Sequence, residues 1–513
     1  MRDVLVIGGG VAGLVAARAC AHIGLSVTVL EATDAVGGAV AAHEVAGLAL
    51  DSGAESFAVR RGTVADYLAE LALSDEIVAP NPAGAWLHLP ADGSVNGSVS
   101  VPLTQAGVLG IPGSPLADDV RRVIGWGGAW RAYLDRLMPV LKIGREHSLG
   151  ELVEKRMGRR VLERLVEPVA GGVYSASAVD LEVDIVAPGL NSALTTTGSL
   201  SGAVIAMRGA APAGSAIGGL RGGMSTLIAA LRADLELYGA AVKTGSPVTR
   251  ITQTGTDDEP TWAVTVEAPA PASDEDVAAE NSDHTDHTTD ATDHTDDADH
   301  ADHSETLEGR FVLLATPGAQ AMRLLAGVTP AGAALADLDW PQPTVVELAT
   351  IVIDAPALDT HPRGTGVLVA AGTPGVTAKA LTHVSAKWDW VAKAAGPGRH
   401  VLRLSYGRAG QANPAQPLSD DEFLALALHD ASELLGVDLD PDAVRGFART
   451  LWDDALSPAT IGAGDRVRRV RDVLEELPGL EATGAWLAGT GLASVIPDAL
   501  SAASRTKHAA LGL

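Results

Sequence analysis

The 513-residue chain carries a formal charge of −27, from 37 Lys+Arg against 64 Asp+Glu, with 47% hydrophobic and 4% aromatic residues. A chain this long normally divides into two or three domains, and its acidity argues against a nucleic-acid partner, which needs a basic face. The single cysteine, Cys20, excludes an intrachain disulfide framework and any cysteine-based zinc or iron–sulfur site, which fits a reducing, cytoplasmic setting.

Met1-Arg2-Asp3 runs directly into a strand-like Val4–Ile7, without the apolar stretch and small-residue cleavage site of a secretory leader. Gly8-Gly9-Gly10-Val11-Ala12-Gly13 follows, and an Ala-rich helix is predicted from about Ala12 to His22, ending near Gly24. A second strand, Val27–Leu30, leads into Glu31. Strand, Gly-x-Gly-x-x-Gly, helix, strand and terminal acid in register make a dinucleotide-binding β-α-β unit. Gly8 would allow the tight turn, Gly10 the approach of a pyrophosphate, and Gly13 close helix–strand packing. The helix N-terminus would favour the phosphates and Glu31 the ribose hydroxyls.

Ala32 and, a few residues on, Gly37 and Gly38 extend this pattern in the manner of FAD proteins rather than NAD proteins. Asp51-Ser52-Gly53-Ala54-Glu55-Ser56-Phe57 is a run of small residues suited to backbone packed against a cofactor. Arg60 and Arg61 follow it closely, and with Arg208 and Arg221 they are the candidate partners for substrate carboxylates.

From about 115 to 175 the chain reads as mostly helical, with Val120, Val123, Ile124, Leu134, Leu137 and Leu141 interleaved with Arg121, Arg122, Arg131 and Arg136. The uncharged window Ile185–Met207 is long enough to span a membrane, but its Pro188, Asn191 and run of Thr and Ser point to a loop or short helix.

Between Ile251 and Gly309 there is no Lys or Arg, and 18 Asp and Glu leave a formal −9 for the rest of the chain. Within it, Ser282–Ser304 is built of Asp, His, Thr and Ala, which cannot offset the entropy of ordering. The stretch is expected to be a disordered insert at about 273–308, set in a hairpin between Trp262–Val266 and Phe311–Ala315. His284, His287, His294, His300 and His303 could chelate a metal weakly, but no metal site is assigned. Further strands are expected near Thr344–Ile353 and Val401–Tyr406, then a helix from Asp420 to Leu435 with Ser419 as N-cap.

Taken with these N-terminal motifs, the chain resembles the flavin amine oxidase superfamily, in its porphyrinogen-oxidising branch. Val166-Glu167-Pro168-Val169-Ala170-Gly171-Gly172-Val173-Tyr174 and Gly218–Leu227 are similar to segments of that family. The resemblance implies that the backbone of Val248 holds adenine and that Trp452, Gly489, Val495 and Ile496 lie at the flavin, with Pro497 opening a final helix. Departures include Ala39, where a basic residue is usual, and the lack of any Arg between Gly62 and Asp119.

What the resemblance implies is an α/β, α+β overall, architecture: a Rossmann-like FAD domain from 1–85, 216–330 and 440–513, a helical subdomain at 86–215, and a substrate-domain sheet at 331–439. It also implies FAD and a three-step, six-electron oxidation of coproporphyrinogen III, or alternatively protoporphyrinogen IX, with O2 as acceptor and H2O2 as product. The expected setting is heme biosynthesis upstream of a ferrochelatase, with peripheral membrane contact through the helical region. No general base is assigned. An amine oxidase is a rival, disfavoured because Cys20 is far from the C-terminus and the last tyrosine is Tyr406. A carotenoid-desaturase-like enzyme, a degenerate flavoprotein or a metal buffer are weaker alternatives.

Overall fold

In a computed structural model, residues 2–59, 62–91, 97–104, 107–139, 146–208, 217–255, 261–267, 304–341, 344–453 and 459–512 are described. The expected disorder and metal chelation of 268–303 lie outside them, as do Arg60, Arg61 and Leu141.

β1 (Arg2–Ile7) is buried along Val4–Ile7, as a strand covered on both faces must be. It leads through the glycine turn into α1 (Val11–Ala21) and then β2 (Val27–Leu30). β1 lies parallel to β2 on one side and to Ser304–Leu314 on the other; Ala241–Lys243 and Leu480–Ala482 extend the parallel sheet outwards. Strand Ser304–Leu314 serves two partners. Its first half pairs antiparallel with Trp262–Glu267, with Ser304 opposite Glu267, and its second half runs beside β1 from Gly309 to Leu314. The hairpin expected from sequence therefore forms, but its return strand begins at Ser304, so the insert ends before the expected 308. Glu305 and Glu308 are ladder residues, paired opposite Val266 and Ala263, although the acidic composition around them gave no sign of a strand.

A second, mixed sheet runs in the order Val444–Trp452, Val346–Asp354, Arg399–Tyr406, Ala380–His383, Gly366–Val369, Trp86–Pro90, Ser98–Pro102. Strand Trp86–Pro90 pairs parallel with Gly366–Val369, and the remaining pairs are antiparallel. Two of its strands thus fall within the segment expected to be helical, and a third, Val444–Trp452, within one expected to join the FAD domain. One face is sealed by helix Asp420–Leu435, whose Phe423, Ala427, Leu434 and Leu435 pack on Ala349, Ile351 and Leu404. That helix opens with a reciprocal cap: Ser419 Oγ accepts from the Glu422 N–H and the Glu422 carboxylate accepts from the Ser419 N–H.

Helices Asp118–Tyr133, Leu149–Met157, Leu190–Thr197 and Leu200–Arg208 build a separate core with Leu87, Leu89 and Val101. Val120, Val123 and Ile124 are buried there, as their spacing predicts. Leu134 and Leu137 are not: the helix tightens to a 3-10 turn at Leu134–Leu137, which turns Asp135 inward to the Arg156 guanidinium at 2.6 Å and the leucines outward. The window 185–207 forms short helices, and among the described residues no helix is long and apolar enough to cross a membrane. The final helix spans Leu492–Leu511 with Pro497 inside it, so Gly491 rather than Pro497 marks its start.

Candidate functional site

The glycine turn is fixed by sterics. Gly8 has φ +105, and a Cβ there would lie 2.6 Å from the Ala315 carbonyl oxygen. A Cβ at Gly13 would lie 1.9 Å from the Gly8 oxygen. Gly10 is the opposite case: nothing lies within 4 Å of where its Cβ would be. The backbone is therefore crowded on its protein side and bare where a pyrophosphate must approach. No side chain caps α1 at Gly10, so its first N–H groups face that space. Val11 and Ala12 themselves point into the core against the C-terminal helix.

Glu31 reaches back to the turn. Its Oε2 accepts from the Gly9 N–H at 2.7 Å, and its Oε1 accepts from the Thr33 N–H and Oγ1 at 2.9 and 2.8 Å. A carboxylate has about four acceptor sites, so with Oε1 already doubly engaged one remains, on Oε2. Ala32 lies exposed beside it. The Gly37 N–H donates to the Gly9 oxygen at 2.8 Å, and Gly38 stacks over Gly10, which folds the second glycine pair onto the first. Val248 is buried, and its carbonyl accepts from Gln320 Nε2 at 3.0 Å.

On the far side, Gly489 and Gly491 also have open space above them, with φ +89 and +104, and no side chain caps the helix at Gly491. Val495 and Ile496 anchor that helix in the core shared with α1. Two bare backbone stretches, each at an uncapped helix N-terminus, fit a long dianionic dinucleotide such as FAD.

The Asp51–Phe57 turn joins this cradle to the second sheet. Trp452 Nε1 donates to the Ser52 oxygen at 2.9 Å, and the indole edge covers Gly53, whose missing Cβ would otherwise lie 3.1 Å from it. The Ala54 N–H donates to the Ala39 oxygen at 2.8 Å. The carboxylate of Glu55 is engaged by protein: Lys387 Nζ lies at 2.5 Å from one oxygen and the Arg403 guanidinium at 2.9 Å from the other. Arg403 also donates to the Asp51 and Gly53 carbonyls at 3.2 and 2.9 Å. Burial alone would raise the Glu55 carboxyl, but Arg403 and Lys387 outweigh it and hold it down to about 2. Burial pushes the neighbouring Asp51 carboxyl up to about 6, although the Met224 N–H donates to it at 2.8 Å. Ser56 follows, half-buried.

Sequence reasoning missed Arg403 and Lys387, because a cation in a strand or short helix carries no motif. The visible hint was alternation: Arg403 stands between the buried Leu402 and Leu404, on the face opposite helix Asp420–Leu435. Of the arginines singled out from sequence, Arg221 sits on the surface 3.6 Å from Glu76, away from the turn, and Arg208 ends helix Leu200–Arg208. Among the described residues, no cluster of His, Cys, Asp and Glu could hold a metal ion.

Cradle, acid and covering sheet together define a dinucleotide-binding oxidoreductase. The chain matches the model of flavin containing amine oxidoreductases over residues 11–506, and it belongs to that family. It is an FAD-dependent oxidoreductase. It is 29% identical to coproporphyrinogen III oxidase of Mycobacterium leprae, covering 99% of this chain and 98% of the relative. It is 23% identical to the protein of the same name in Bacillus subtilis, covering 98% and 97%. Among solved structures, one from Exiguobacterium sp. 255-15, proposed to be a protoporphyrinogen oxidase, superposes with a TM-score of 0.76 at 23% identity, covering 100% and 99% of the two chains. That likeness concerns the fold.

Proposed function

We propose that the chain oxidises coproporphyrinogen III to coproporphyrin III. The observation that carries this reading is the end-to-end match to bacterial coproporphyrinogen III oxidases, spanning 99% of the chain for the M. leprae relative and 98% for that of B. subtilis. The macrocycle loses six protons and six electrons in three two-electron steps, and with them three O2 become three H2O2. Bound FAD supplies the hydride acceptor that no side chain offers.

The chain's own contribution is position and dryness. The Glu55–Arg403–Lys387 cluster locks the Asp51–Phe57 turn against the second sheet, and Trp452 seals its edge. The uncapped helix N-termini at Gly10 and Gly491 offset phosphate charge.

Peripheral membrane contact is part of the proposal. Trp126, Trp130, Leu134 and Leu137 are 60%, 54%, 45% and 74% exposed along one helix and its following turn. Arg121 stacks on Trp126 at 4.1 Å, so the apolar row carries cations suited to anionic lipid. The product would pass to an iron-inserting ferrochelatase in the cytoplasm.

Aerobic incubation of the purified yellow protein with coproporphyrinogen III should yield coproporphyrin fluorescence and three H2O2 per porphyrin. Faster turnover of protoporphyrinogen IX would move the assignment to the alternative substrate, and turnover of amines alone would end it.

A further inference from the structure

We propose that Lys379 and Arg408, with Ser175, form a binding subsite for one propionate of the tetrapyrrole. The proposal rests on the porphyrinogen reading above and names residues that would recognise its carboxylates.

Lys379 is 2% exposed, and its ammonium donates to Ser175 Oγ. Arg408 is half-buried and donates to the Val369 carbonyl at 3.0 Å. Among the described residues, neither cation forms an ion pair with a carboxylate. Glu167, the acid whose charge bears on Arg408, already accepts from Ser177 Oγ at 2.9 Å and the Ala178 N–H at 3.1 Å. A buried ammonium beside a half-buried guanidinium, with no carboxylate paired to the ammonium, is costly, and structural roles in a core are filled better by apolar side chains. Burial, reinforced by Arg408, drops the Lys379 ammonium to about 7, which is the mark of a missing counter-charge.

The surroundings are shaped for a guest. Both cations rise from the second sheet towards Gly171–Ser175 on the helical side. A Cβ at Gly171 would lie 2.7 Å from Arg408 Nη1, and one at Gly172 would lie 2.6 Å from Leu368, so these glycines admit the guanidinium and the leucine. Ser175 holds a left-handed φ of +53 while buried, a conformation that is strained for a non-glycine residue. Val173, two residues before Ser175, is 50% exposed, so this segment reaches the surface beside the group. A guanidinium fork beside an ammonium and a hydroxyl is a carboxylate-binding set, and Leu368 and Tyr174 supply apolar wall for the arm that carries it.

The test compares binding of coproporphyrin III and of its tetramethyl ester by absorbance titration, using FAD-loaded wild type, Lys379→Met and Lys379→Arg. The expected result is a Kd for the free acid raised about 10-fold or more in Lys379→Met and largely restored in Lys379→Arg, with the ester unaffected. Flavin content should stay the same, and the melting temperature of Lys379→Met should equal or exceed that of wild type. Unchanged affinity for the free acid would overturn the subsite. So would equal weakening of acid and ester with a lowered melting temperature, which marks a structural lysine. If wild type itself neither binds coproporphyrin III nor oxidises its porphyrinogen, the functional reading fails and this subsite with it.

Discussion

The Glu55 carboxylate, expected from sequence at the cofactor, is held between Lys387 and Arg403. Glu55→Gln would leave two nearly buried cations facing a neutral amide, and should cost roughly 3 kcal/mol at neutral pH. Because Glu55 ionises at about 2 in the folded chain and at 4.5 when free, its stabilisation is complete above pH 5 and is lost progressively as pH falls towards 2. Melting curves of wild type and Glu55→Gln should therefore differ clearly at pH 7 and converge only as pH falls to about 2. A difference independent of pH would mean that the carboxylate's charge does not matter. Asp51 works in the opposite direction: raised to about 6, it costs stability as pH rises through that value, which places the optimum of this turn in mild acid. Gly13→Ala is the harsher test of the cradle. Its methyl would sit 1.9 Å from the Gly8 oxygen, so the purified protein should lack flavin absorbance; a yellow variant would contradict the turn geometry.

At the scale of elements, the hairpin of Trp262–Glu267 with Ser304–Gly309 closes by its own ladder. Replacing residues 268–303 with a two-residue Asn-Gly turn should leave flavin content and turnover largely intact. Loss of both would assign a working role to the acidic, His-rich stretch. Extending the deletion to 308 should be worse, since it removes Ser304–Glu308 from the strand that continues beside β1. The elements with their own local chemistry were the ones readable in sequence. β1, α1 and β2 were framed by glycine and acid, and helix Asp420–Leu435 was announced by Ser419 and Glu422. Elements whose ends are set by tertiary partners were not. The 3-10 turn at Leu134–Leu137 exists because Asp135 finds Arg156, 21 residues away, and no local pattern encodes that pair. The final helix starts at Gly491 because its first turn faces the cradle, although Pro497 looked like the natural start.

For the molecule as a whole, two sheets meet across the Asp51–Phe57 turn, and the membership of each was only partly visible. Trp86–Pro90 and Ser98–Pro102 are short and pair with each other, and Trp86–Pro90 alone pairs with a strand some 280 residues later, so their sheet could not be inferred locally. The cofactor side of the site was legible because phosphate binding demands glycines at fixed spacing. The cations were not, because Arg403 and Lys387 are brought to Glu55, and Lys379 and Arg408 to the Gly171–Ser175 segment, from unremarkable positions. Charge follows the same division: the 18 acids between Ile251 and Gly309 account for most of the −27, and the rest of the chain carries a formal −9. The central claim is that this FAD enzyme takes electrons from coproporphyrinogen III. Anaerobic mixing of the oxidised holoenzyme with coproporphyrinogen III should bleach the flavin band within the time of turnover, and admitting O2 should restore it. A flavin that stays oxidised under coproporphyrinogen III but is bleached by a primary amine would contradict the account.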